Sequence, residues 1–329
     1  MDHRSQDILE LCAKAAVAAG ASRELGLALG RATVAAQEAG KDALGIQHFF
    51  DYLDAVQAHR IDGMADPVIS TPTPAVYLAD ARQGIPHVAF DRVLGDLVRS
   101  AHELGLVVLS INNSYTGGAL GYFSERIAEE GLVGLVVGNS SAHMAAGGTK
   151  NAVLGTNPLS FAVPQGPDRP PLVFDQASSQ TAMVNVREAA RSGRPIPDDW
   201  AVDEYGIQTT DADKALLGAL LPFGGYKGTN IALMVEMLAT LSGGSWSLDA
   251  GSFNSGERSP AIGMFLVAID PTVFDPQYPQ RVIQHVDRLR SQHGMRFPGD
   301  ARSQRTHGTC MVDEQDYNQL LARAGELAR

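Results

Sequence analysis

The chain has 329 residues, 44% of them hydrophobic and 19% charged, with a formal net charge of -11. This length favours two domains or one large one, and the balance is that of a globular chain able to bury a substantial core. The acidic charge and the absence of any basic run exclude a nucleic-acid surface, which needs concentrated Lys and Arg.

No apolar run reaches the roughly 18 residues of a membrane-spanning helix. The opening segment, MDHRSQDILELCAKAAVAAG, is charged from its start and lacks the layout of a signal peptide. The cysteines, Cys12 and Cys310, sit near opposite ends. They do not suggest a disulfide framework, and a reducing cytoplasm is the expected compartment.

Residues 5–60 read as helices. Ile8, Leu9, Leu11, Cys12, Ala15 and Ala16 make one apolar face, Ser22 is a candidate N-cap, and an alanine-rich helix runs on to about Gly40. A third helix begins near Asp42 and carries Leu44, Ile46, Phe49, Phe50, Leu53 and Val56. Residues 61–75, with Pro67, Pro72 and Pro74, read as an extended joint. A helix near Val93–Leu104 leads into the β-branched strand LVVLSIN, and the glycine-rich turn NNSYTGGALGY follows. Then come a helix over Phe123–Glu130 and the strand LVGLVVGNSS. LSFAVP and PLVFDQA read as further strands around the turn QGPDRP. Toward the C-terminus, MFLVAID reads as a strand, and helices are expected over Pro279–Gln292 and Glu314–Leu327.

One stretch stands out: LLPFGGYKGTNIALMVEMLATLSGG, residues 220–244. A glycine pair, Gly224 and Gly225, precedes Tyr226 and Lys227 and then a helical apolar run, so a loop feeding the N-terminus of a buried helix is expected. Such an N-terminus beside a lysine suits an anion such as a cofactor phosphate. On spacing alone a tight turn with Lys227 in solvent explains the stretch equally well, because it is neither a Walker loop nor GxGxxG. Glu236, inside the run, reads as structural or as a salt-bridge partner within its helix. No His, Cys, Asp and Glu cluster has metal-ligand spacing, and no metal is expected.

This stretch, with LGTNPLSFAVP, DQASSQTAMVNVREAARSGRPIPDDWAVDEYG and FLVAIDPTVF, resembles the type-2 malate/L-lactate dehydrogenases over nearly the whole chain. That NAD(P)-dependent family also holds sulfolactate dehydrogenases and reductases of the cyclic imino acids piperideine-2-carboxylate and pyrroline-2-carboxylate. The resemblance implies an α/β fold with a mixed-sheet, non-Rossmann cofactor domain over 71–329. It also implies a helical domain over 1–70, joined by helices from about 215–245 and the C-terminus. A homodimer is implied, with NADPH or NADH as cofactor and a small molecule as substrate.

The resemblance also locates the chemistry, and there the chain departs from the pattern. The family's imino-acid reductases carry a Ser-His-Gly segment with an Arg four residues after the His. The His is the proton donor, the Ser its relay partner, and the Arg grips the substrate carboxylate. Here those positions are Ala43, Leu44 and His48, and the family's distant relay Asp falls on Asn185. A second family histidine, near the nicotinamide, falls on Thr116, in a turn that includes Gly118. The cofactor positions fall on Asp175, Gln176 and Ala177, on Tyr226 and Lys227, and on Gly299, Asp300 and Arg302 after Pro298. Thr156 and Met183 are expected to line the substrate pocket. His48 lies one helical turn beyond Leu44, and Tyr52 a turn further, so both share that face and are candidate replacements for the donor. Tyr115 and His143 are expected in loops framing the nicotinamide.

The reading that follows is an NAD(P)H-dependent oxidoreductase with an altered site that reduces a C=N bond of a cyclic imine or imino acid. A 2-hydroxy-acid dehydrogenase and a non-catalytic family member are the alternatives.

Overall fold

Glycine and alanine set the first packing contact. Helices Ser5–Ala18 (α1) and Arg23–Glu38 (α2) pack closely enough that a Cβ on Gly26 would lie 3.0 Å from the Ala13 carbonyl oxygen. Ser22 caps α2, its hydroxyl accepting from Leu25 N at 3.1 Å. Helix Ile46–Gln57 (α3) adds Ile46, Phe49, Phe50 and Leu53 to the same core. The computed structural model of the chain describes residues 2–297 and 308–326. Within them the far end of the chain joins this core. Strand Asp2–Arg4 (β1) pairs with Thr309–Met311 (β11), and Cys310, Val312 and Leu320, the last from helix Glu314–Arg323 (α10), pack beside Ile8 and Cys12.

The second layer is a mixed sheet. Its strands are Val68–Thr73 (β2), Val76–Asp80 (β3), Leu106–Ser114 (β4), Val133–Gly138 (β5), Leu159–Val163 (β6), Leu172–Gln176 (β7) and Ile262–Ile269 (β10). Among the described residues their order is β2-β3-β4-β10-β5-β6-β7. β3 and β4 run parallel, so they need a crossover, which is helix Pro86–Leu104 (α4); the remaining pairs are antiparallel. This is not a Rossmann sheet. Helix α4 begins seven residues before the expected Val93, because Pro86 presets the first helical turn.

Helix Gly121–Glu129 (α5) covers β5 and β6. Beyond β7, helix Met183–Arg191 (α6), the short strands Ala201–Val202 (β8) and Ala219–Leu220 (β9), and helix Ala212–Leu217 (α7) form a small satellite core. Helix Tyr278–His293 (α9) follows β10.

Helix Tyr226–Ala239 (α8) differs from the expectation in two ways. It packs on β4, β5 and β10 of the sheet instead of joining the N-terminal helices. The small residues Gly228, Ala232 and Ala239, with Val235, let it lie flat there. It is also buried on one side only, since Leu233, Met234 and Met237 face outward with Leu241 beyond them. A sequence run that is apolar all round does not reveal which half the sheet covers.

Candidate active site

A cavity of about 280 Å³ opens among α3, the turn after β4, the end of β5, the turn before β6 and the start of α6. It brings together His48, Thr116, Gly118, Thr156, Ala177 and Met183, all singled out from the sequence, together with Leu44. His143 and Tyr115 line it too.

His48 is held in a defined orientation. Its Nδ1 donates to Asp51 Oδ2 at 3.1 Å, one turn along α3. A carboxylate only accepts, so the Nδ1 proton is fixed and Nε2 is the nitrogen left for a ligand. Tyr52 packs edge-on against this imidazole, with ring centroids 4.7 Å apart. Its hydroxyl donates to the Thr116 carbonyl at 2.9 Å, and burial holds its pKa well above the usual tyrosine value. Tyr52 thus braces the Thr116 turn and is a poor acid at neutral pH. Gly118, at φ +60°, keeps the space beside His48 open: a Cβ there would sit 3.2 Å from the Tyr52 hydroxyl.

Across the cavity, His143 Nδ1 donates to the Ser141 carbonyl at 2.8 Å. Tyr115 donates to the Phe253 carbonyl at 2.8 Å, and burial pushes its pKa up to about 12. Thr156 is tied by its backbone N–H to Ser140 Oγ at 3.1 Å.

The other candidates lie outside the lining. Asn185 Nδ2 donates to Thr181 Oγ1 at 3.0 Å. It sits two residues beyond Met183 on α6, a step that turns a side chain to the opposite side of a helix. Asp175 accepts from both Lys41 Nζ and the Gly121 N–H at 3.0 Å, and so neutralises the N-terminus of α5. Gln176, Tyr226 and Lys227 are exposed, the last two in the first turn of α8. Gly299, Asp300 and Arg302, with Pro298, lie outside the described residues.

Two features were not anticipated. Arg187 lines the cavity one helical turn after Met183. The i, i+4 spacing on a helix is the signal that pairs it with Met183. His87, behind Tyr52 and 1% exposed, has its pKa pushed down to about 4, chiefly by burial. Its Nδ1 has no hydrogen-bond partner among the described residues. Among those residues no group of three His, Cys, Asp or Glu side chains could hold a metal ion. No helix there is long and apolar enough to cross a membrane.

The malate/L-lactate dehydrogenase family pattern matches residues 4–319. A (2R)-3-sulfolactate dehydrogenase (NADP(+)) from Chromohalobacter salexigens is 36% identical over 83% of this chain and 82% of its own. A Delta(1)-pyrroline-2-carboxylate/Delta(1)-piperideine-2-carboxylate reductase from Pseudomonas syringae pv. tomato is 34% identical over 97% of this chain and 95% of its own. The crystal structure of delta1-piperideine-2-carboxylate reductase from the same organism superimposes with a TM-score of 0.92 at 32% identity, covering 98% of this chain and 99% of that one. With a family match across almost its whole length, and relatives above 30% identity over most of theirs, this chain belongs to the malate/L-lactate dehydrogenase family and is an oxidoreductase.

Proposed function

We propose that this chain is an NAD(P)H-dependent reductase of a cyclic imine or imino acid. The observation that carries the reading is one cavity with an apolar wall and an oriented imidazole. Leu44 and Met183 line it beside His48, whose Nδ1 is bound to Asp51. The wall suits a ring of five or six members.

The residues present fit a flat nicotinamide ring. Gly117, Gly118, Gly138 and Gly263 form a stretch of lining without side chains, and a Cβ on Gly117 would collide with Met264. Lys227, with the open loop at Gly224 and Gly225, would hold the cofactor phosphates. When bound, the reduced nicotinamide supplies a hydride.

His48 has two tasks in this reading. As an imidazolium, which Asp51 stabilises through Nδ1, it gives the substrate nitrogen a proton from Nε2 and is left neutral, its Nδ1 proton still held by Asp51. Tyr52, through Thr116, holds the turn that faces the imidazole. An iminium carbon accepts a hydride to leave a neutral amine. A ketone must instead gain a proton as charge builds on its oxygen, a step for which a positioned acid is worth roughly 10² to 10⁴ in rate. Loss of the family's donor set therefore weighs more on ketones than on iminium ions. The His48–Asp51 pair is the observation that favours a second reading, a 2-hydroxy-acid dehydrogenase, since it is a donor that a ketone can use.

A homodimer belongs to the same proposal. The outward apolar face of α8, continued by Trp246 and Leu248, suits a twofold contact. We also infer a division into a helical part, residues 1–70 joined by the C-terminus, and a sheet part within 71–329, supported by Cys310, Val312 and Leu320 packing in the N-terminal core. A cytoplasmic location agrees with Cys12 and Cys310 lying in one core as free thiols. Light scattering at micromolar concentration tests the dimer.

The reaction is tested by NADPH oxidation with piperideine-2-carboxylate, pyrroline-2-carboxylate and simple cyclic imines beside pyruvate, oxaloacetate and glyoxylate. Faster turnover of the keto acids would overturn the imine reading in favour of the second.

A further inference from the structure

The geometry points to Arg187 as the carboxylate anchor of this site, carried on α6 where the family pattern would place it on α3. This rests on the imino-acid reading above and specifies its substrate: a ring that carries a carboxylate.

Two observations support it. The α3 position expected to hold an arginine is His48, and its Nδ1 is already bound to Asp51. Even when protonated, that imidazole shares its charge with a neighbouring carboxylate and presents one donor instead of a planar fork. Arg187 supplies what is missing. Among the described residues it is the cavity's one Lys or Arg, and no Asp or Glu lines the cavity beside it. The guanidinium is therefore the fixed charge that an entering anion meets.

Arg187 is also unengaged. Among the described residues it has no hydrogen-bond or ion-pair partner, although other arginines of the chain are paired. Arg194, just beyond α6, binds Glu188 on that helix, Arg92 binds Glu24 and Asp66, and Arg126 binds Asp91. Its helix places it one turn from Met183, so the apolar wall and the charge stand on one face. It is exposed, at the rim of the cavity. A ring seated against Leu44 and Met183 with its nitrogen toward His48 would direct a 2-carboxylate toward this rim.

The test compares Arg187→Ala and Arg187→Lys with the wild type in three measurements. The first is kcat/KM for pyrroline-2-carboxylate against the carboxylate-free ring 1-pyrroline. The second is calorimetric binding of pyridine-2-carboxylate, a planar ring acid, to the enzyme with NADP+. The third is NADPH affinity by fluorescence titration.

Arg187→Ala is expected to lower the preference for the carboxylate-bearing ring roughly 10- to 150-fold, the value of a charge-assisted contact. It should weaken pyridine-2-carboxylate by a similar factor. Arg187→Lys should recover part of both, because the charge returns without the fork. Equal losses on the two rings, or unchanged pyridine-2-carboxylate binding, would overturn the assignment. So would a loss confined to NADPH affinity, which would make Arg187 a cofactor contact. If no imine is turned over even by the wild type, the imine reading fails, and the pyridine-2-carboxylate titration still decides whether Arg187 holds a carboxylate.

Discussion

Asn157 Nδ2 donates to Glu236 Oε2 at 2.7 Å, linking the turn before β6 to the interior of α8. Glu236 also accepts from the Ser247 N–H at 2.6 Å, and Asn157 donates to the Ala232 carbonyl. Asn157 takes the left-handed conformation, at φ 30°, and its carbonyl accepts from Ser178 Oγ at 2.7 Å. The cavity residues Thr156 and Pro158 flank this one side chain. A buried glutamate thus fixes one wall of the site without touching it.

Glu236→Ala should therefore destabilise the fold by about 2–3 kcal/mol, because buried donors on Asn157 and Ser247 lose their acceptor. Glu236→Gln keeps an acceptor and should recover part of the loss. Chemical denaturation measures both. A midpoint for the alanine variant equal to that of wild type would show that the network carries no stability.

His48→Ala should lower kcat for the imine about 10²-fold if the imidazole moves a proton. If it only orients substrate, KM should rise while kcat is nearly kept. Steady-state kinetics separate the two, and wild-type values in the variant would remove His48 from the mechanism.

Lys227→Ala should weaken NAD(P)H binding and leave the unfolding transition in place. The side chain is exposed, so its loss costs a phosphate a charged partner without opening the core. Fluorescence titration is the check, and an unaltered dissociation constant would place the phosphates elsewhere.

His87 predicts an acid limb of stability. Its folded pKa is about 4 against an ordinary 6.5. Between those values the unfolded chain binds more protons than the folded one, so stability falls as pH drops from about 6.5 to about 4 and levels off below. Burial is the main cause, His48 and Arg126 reinforce it, and Asp91 opposes it. The contribution amounts to about 3 kcal/mol at most. His87→Gln cannot take up the proton, so the difference in stability between variant and wild type should vary with pH across that window. A difference constant from pH 7 to 4 would contradict it.

The N-terminal helices, the central strands and the loop before α8 are legible in the sequence because each follows from local pattern: apolar periodicity, β-branched runs and a glycine pair. The sheet order is not. β10 lies between β4 and β5 although about 120 residues separate it from β5, and local periodicity contains no information on such long-range pairing. The cavity was half legible. Long motifs located His48, Thr116, Thr156 and Met183, but position in a motif does not reveal facing. Asn185 and Arg187, two residues apart, end on different sides of α6, one bound to Thr181 and one lining the cavity. Asp175 reads as a cofactor contact from its motif, while its Oδ2 is engaged by Lys41 and Gly121. His87 gave no signal at all, since its burial depends on Tyr52, Tyr122 and Phe123 from separate elements.

The most direct measurement is a competition for hydride. The enzyme is given NADPH deuterated at nicotinamide C4, with piperideine-2-carboxylate and pyruvate at equal concentration, and the products are read by mass spectrometry. Label is expected to accumulate at C2 of the saturated ring acid, well ahead of lactate. Label accumulating chiefly in lactate would contradict this and make the protein a 2-hydroxy-acid dehydrogenase.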